Sequence, residues 1–96
     1  MAAITVEIAN KKGLHARAAA KFVKTAASYH AQVMVVKLGQ NGEEDSPPVA
    51  AGSILGLMML GADPGSTLQL TAEGEQAPAA LTALKELVEN RFGEAE

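Results

Sequence analysis

The residues best equipped for chemistry lie in the run Gly13-Leu14-His15-Ala16-Arg17-Ala18-Ala19-Ala20-Lys21-Phe22-Val23. A histidine stands where an extended segment should turn into a helix, and an arginine follows two residues later. At a helix start the amides of Ala16, Arg17 and their neighbours have no intrahelical acceptors, so they can bind phosphate oxygens. The same helix end repels positive charge, which favours a neutral ring whose nitrogen can attack phosphorus. Arg17 would offset the charge of the group taken up, through its fork of donors. A plainer account makes His15 a simple helix cap and Arg17 a solvated surface charge. A lone His-x-Arg does not decide between the two.

The elements that must position this point can be read from the hydrophobic pattern. Ile4, Val6 and Ile8 alternate with Thr5, Glu7 and Ala9, as in a half-buried strand. Asn10 to Gly13 reads as a loop. Residues 16–28 are good helix formers, with Ala19, Phe22, Val23 and Ala26 on one face. Val33 to Leu38 is a second strand, and 39–48, with Asn41-Gly42 and Pro47-Pro48, is the least ordered-looking stretch. A short third strand is expected near Val49 to Ala51. Ser53 is an N-cap signal for a short helix from Ile54 to Leu60, and Gly61 is its stop. Leu68, Leu70 and Ala72 alternate as a fourth strand. Pro78 suits the first turn of a last helix, whose buried stripe is Leu81, Leu84, Leu87, Val88 and Phe92, with Gly93 ending it before an acidic tail.

The order β-α-β-β-α-β-α predicts an α+β open-faced sandwich: a four-stranded antiparallel sheet with three helices on one face. The 96 residues form a single domain over 1–96, with no internal repeat or linker. Three aromatic side chains, Phe22, Tyr29 and Phe92, leave the core to aliphatic residues and alanine.

Charge and composition narrow the function. The chain has no cysteine, which excludes a disulfide framework, a thiolate nucleophile and sulfur metal ligation. Without a signal-like start or a long apolar span, a cytoplasmic protein with no membrane contact is expected. Residues 1–38 hold six Lys and Arg against Glu7 alone, whereas residues 39–96 hold two against ten acids. A basic zone around His15 should steer acidic partners or phosphate to it. The net charge of −3 argues against general nucleic-acid binding. His30 has no neighbouring ligand-type residue, and Glu43-Glu44-Asp45 lacks the spacing of a calcium loop, so neither suggests a metal site.

Gly13-Leu14-His15-Ala16-Arg17, followed by small residues and Lys21-Phe22-Val23, resembles the active-site signature of the HPr family. These are the histidine-containing phosphocarriers of the phosphoenolpyruvate-dependent phosphotransferase system. Gly52-Ser53-Ile54-Leu55-Gly56-Leu57-Met58-Met59-Leu60 is similar to that family's serine-containing short helix. The resemblance spans nearly the whole chain. It implies that His15 accepts the phosphoryl group, at Nδ1, with Arg17 as its charge partner, and that no cofactor is needed. It implies enzyme I as donor, an enzyme IIA-type acceptor downstream, and Ser53 as a site for a dedicated serine kinase. Ala18 stands where many members have proline, and the 39–48 loop is several residues longer than usual.

The helix after Ser53 is apolar almost all round, so it is either largely core or in part a docking patch. Methionines suit a surface that meets several partners. The resemblance makes Ile54, Leu55 and Met58, with Ala16, Ala20 and Lys24 on the first helix, the partner-binding residues. Leu57 and Leu60 are expected in the core. Ser53 would serve as an N-cap with or without a kinase.

A carrier that is a substrate of other proteins, and not itself an enzyme, fits these features best. The alternative is a regulatory, nitrogen-type member that acts by phosphorylation-dependent protein binding without sugar transport. A small phosphatase lacks a general base or metal cluster near His15, and an RNA-binding sheet lacks stacking aromatics.

Overall fold

The computed structural model describes residues 2–94. Its elements are β1 (Ala2–Glu7), α1 (Ala16–Ala27), β2 (Gln32–Leu38), β3 (Val49–Ala50), α2 (Ile54–Met59), β4 (Thr67–Glu73) and α3 (Ala77–Glu89), followed by a 3-10 turn at Arg91–Gly93. The expected order is therefore the observed one. The strands form one sheet in the order β1-β4-β2-β3, and every neighbouring pair is antiparallel.

Register follows from the alternation. Ile4 and Val35 both sit opposite Leu70, and Ala72 sits opposite Val33. A one-residue slip would turn Leu68, Leu70 and Ala72 out of the core, so the pattern fixes the pairing. Helices cover that face, as in an open-faced sandwich. Helix α3 packs on β1, β4 and β2, and α1 packs against α2 and α3. Phe22, Leu57, Leu68, Leu70, Leu84, Val88 and Phe92 are almost wholly buried, with Ala18, Ala19 and Ala80 between them. Three alanines at those positions let helix backbones approach closely, which compensates for the scarcity of large aromatic side chains.

Two expectations need correction. The final helix does not run to Phe92: α3 ends at Glu89, and Asn90 caps it. Arg91 and Phe92 then adopt left-handed backbone, at φ 55° and 56°, and Gly93 follows at φ 78°. Left-handed backbone costs a non-glycine residue about 1–2 kcal/mol, and burial of the Phe92 ring offsets this. Phe92 is thus core, as expected, but it reaches the core from a reversal of the chain. Leu87 is half-buried.

The 39–48 loop is also more structured than its composition suggests. Gly39 N–H donates to Glu43 O at 2.7 Å, and Asp45 N–H to Lys37 O at 2.8 Å. Asn41 Oδ1 accepts from Glu43 N–H at 3.1 Å, a side-chain turn typical of asparagine.

Gly13 joins the loop after β1 to the start of α1 at φ 66°. A Cβ there would lie 2.5 Å from the carbonyl oxygen of Ala62, whose lone pair also receives Leu14 N–H. Gly13→Ala combines left-handed strain with a backbone clash. It should lower unfolding free energy by at least about 2 kcal/mol in urea melts, whereas Gly52→Ala, where a Cβ meets nothing within 4 Å, should not.

Candidate functional site

The loop after β1 and the segment that follows α3, up to Glu94, meet at the start of α1. His15 is the N-cap residue, in extended backbone at φ −77° and ψ 179°, and its carbonyl accepts the first helical bond from Ala19 N–H at 2.8 Å. Its side chain makes no capping bond. The ring is therefore not spent on the helix, contrary to the plainer account above. Extended backbone turns it outward beside the first-turn amides of Ala16, Arg17 and Ala18, which have no helical carbonyl to meet.

The ring is partly exposed, at 26%, and one nitrogen is engaged: Nε2 lies 2.5 Å from Oε2 of Glu94. The other carboxylate oxygen, Oε1, accepts from Nδ2 of Asn10 at 3.0 Å. Asn10 is fully buried, and the same Nδ2 donates to Gly13 O at 2.7 Å. Both partners only accept, so the amide orientation is determined. Its Oδ1 has no hydrogen-bond partner among the described residues.

These contacts hold the Glu94 carboxyl below its ordinary range. The Asn10 amide contributes most and the His15 ring next, with the charges of His15 and Lys12 adding, while partial burial opposes. A lowered carboxyl pKa means this contact is in place above the ordinary glutamate range and is lost as pH falls through the lowered value. At neutral pH Glu94 is an acceptor only, so the bond requires a proton on Nε2. In the neutral ring, the lone pair is then on Nδ1.

The segment from Phe92 to Glu94 is fixed by more than this bond. Lys21, on α1, donates from Nζ to Phe92 O at 2.6 Å. Gly93 N–H donates to Asn90 O at 3.0 Å, and Glu94 N–H to Arg91 O at 2.9 Å.

The remaining expected residues fall on the same and the neighbouring helix. Arg17 is exposed on the first turn of α1 and has no hydrogen bond or ion pair with another described residue. Ala16, Ala20 and Lys24 are exposed at four-residue spacing, one stripe along α1. Ser53 caps α2, its Oγ accepting from Gly56 N–H at 2.9 Å. Only Leu57 of α2 is buried, with Leu60 just after it. Ile54 (41%), Leu55 (67%), Met58 (42%) and Met59 (76%) stand in solvent, so α2 is mainly an exposed apolar surface and only in small part core. Met59, its most exposed residue, was not among the expected contacts. His30 is exposed, and no three metal-type ligands cluster among the described residues. No helix among them is long and apolar enough to cross a membrane.

Sequence reasoning missed Asn10 and Glu94. The Asn10-to-Gly13 spacing suits a local side-chain turn and could have drawn attention. A contact between residues 79 positions apart leaves no local signal.

Comparison with known proteins shows the family to which the chain belongs. A family profile described as "PTS HPr component phosphorylation site" matches residues 2–90. The chain is 51% identical to the phosphocarrier protein HPr of Pseudomonas aeruginosa, with all of both chains covered. It is 42% identical to the phosphocarrier protein NPr of Shewanella violacea, over 94% of this chain and 91% of that one. Among solved structures, HPr from Thermoanaerobacter tengcongensis superposes with a TM-score of 0.86 at 44% identity, again over the full length of both chains. With sequence and fold in agreement, the chain belongs to the HPr family, the phosphocarrier proteins of the phosphotransferase system.

Proposed function

We propose that this chain takes a phosphoryl group from phosphorylated enzyme I onto Nδ1 of His15 and hands it to an enzyme IIA-type acceptor, acting in the cytoplasm as a single-domain substrate of those proteins. The observation that carries this is the state of the His15 ring: partly exposed at a helix start, uncapped, and with Nε2 held by Glu94. The Nδ1 lone pair attacks phosphorus while the bond from phosphorus to the donor's nitrogen breaks, that nitrogen keeping the electron pair. The first-turn amides and the exposed Arg17 guanidinium supply donors for the phosphoryl oxygens. Nothing is turned over, because the product is itself the donor for the next transfer.

Docking is assigned to the exposed stripe Ala16, Ala20 and Lys24 and to Ile54, Leu55 and Met58 of α2. Positive charge from Arg17, Lys21 and Lys24 suits acidic partners approaching α1. Ser53 is proposed as a regulatory kinase site. A dianion there is tolerated by the helix start but adds negative charge beside the docking surface. The regulatory branch without sugar transport is the second reading, favoured by the likeness to the Shewanella NPr.

Incubation with phosphoenolpyruvate and enzyme I should put acid-labile label on the wild type and none on His15→Ala; equal labelling of the two would refute the carrier reading. Loss of a charge-assisted bond is worth about 1.5–3 kcal/mol, so Arg17→Ala should slow phosphoryl transfer by about 10- to 100-fold. Ser53→Ala should cost about 1 kcal/mol of stability through the lost cap. It should also abolish labelling by a serine kinase that labels the wild type, and persistent labelling would remove the assignment.

A further inference from the structure

The reversal of the chain after α3 does more than carry Phe92 into the core. Two non-glycine residues in left-handed backbone, Arg91 and Phe92, bring the following segment back across the start of α1. Lys21 Nζ grips the Phe92 carbonyl, and Asn10, itself buried in the loop after β1, grips the Glu94 carboxylate. Three separate parts of the chain thus converge to hold one oxygen 2.5 Å from His15 Nε2.

We infer that Glu94 is a positioning residue for phosphoryl transfer, held by Asn10 so that it fixes the His15 ring with Nε2 protonated and Nδ1 presented to the incoming group. This rests on the carrier reading above and adds a residue to it. Nδ1 and Nε2 lie on opposite edges of the imidazole, so the carboxylate does not occupy the path of the phosphoryl group. When Nδ1 bonds to phosphorus, the ring nitrogen gains positive character and the Nε2 proton stays between ring and carboxylate. Glu94 then faces a phosphoimidazolium, whose charge it balances. In that protonated form the ring is a neutral leaving group when Nδ1–phosphorus cleavage returns the electron pair to Nδ1. The carboxylate thus supports both uptake and release, in the way that a buried acid orients a catalytic histidine.

The test compares wild type, Glu94→Ala and Glu94→Gln. Glu94 is partly exposed beyond the last helix, so these variants should melt as the wild type does. In the unphosphorylated, nitrogen-15-labelled protein at alkaline pH, the wild type should show a downfield Nε2–H proton resonance. Nδ1 should have the shift of a lone-pair nitrogen. In Glu94→Ala the Nε2–H resonance should vanish into solvent exchange. Glu94→Gln keeps an acceptor oxygen and should restore the resonance with a smaller downfield displacement. The rate of uptake from phosphorylated enzyme I at saturating carrier should fall about tenfold in Glu94→Ala and be partly restored in Glu94→Gln. An unchanged ring spectrum, or an unchanged rate, in Glu94→Ala overturns the inference. A faster rate also overturns it, because the carboxylate would then be competing with the phosphoryl group. Failure of wild type to accept label would instead sink the carrier reading, and the spectra of the unphosphorylated protein would still decide the role of Glu94.

Discussion

Helix α1 must satisfy two demands with one short run of residues. One face has to seal the sheet, and under the proposed carrier role its first turn has to stay open to an incoming group. Ala18, Ala19 and Phe22 meet the first demand and are wholly buried within two turns of His15. The small side chains bring the helix close enough for Phe22 to reach the core, while Ala16, Arg17 and Ala20 remain outside. The histidine can be exposed and still held in place because the turn after it is packed so tightly.

The segment after α3 adds a second anchor through Glu94. A partly exposed ring attached only through Cβ would sample several rotamers. The carboxylate of Glu94 removes that freedom at one nitrogen and leaves the other available. Lys21 links this arrangement to the helix itself, since the residue that grips the Phe92 carbonyl lies six positions after His15. The C-terminal reversal and the start of α1 are thus tied by two side chains, Lys21 from α1 and Glu94 from the reversal. Lys21 also illustrates how a residue that reads as part of a basic surface can serve a structural bond as well.

Much of this was legible in the sequence where periodicity and capping chemistry act locally. The alternation in Ile4 to Ile8 and in Leu68 to Ala72 determines which face is buried, and Ser53 starts α2 with the bond its type suggests. His15 at the start of α1 was equally readable, because the preceding Gly13 and the following alanines mark the boundary. The end of α3 was not. Phe92 continues the apolar stripe of that helix in sequence, and only the geometry reveals that it enters the core after a left-handed turn. Asn10 looks like an ordinary loop residue, yet it is buried and bonded to Glu94, 84 positions away. Such long-range partners leave no periodic trace. The exposure of α2 was likewise undecided by composition, since an apolar helix reads the same whether its neighbours cover it or not.

The central claim is that His15 carries phosphate on Nδ1 while Glu94 holds Nε2. Nitrogen-15 and phosphorus-31 spectra of the phosphorylated protein, prepared with phosphoenolpyruvate and enzyme I, test both halves at once. The account predicts phosphorus coupled to Nδ1 alone, with the Nε2 proton still resolved and close to the Glu94 side chain. Phosphorus coupled to Nε2, or a phosphorylated ring whose Nε2 is free of Glu94, would contradict it.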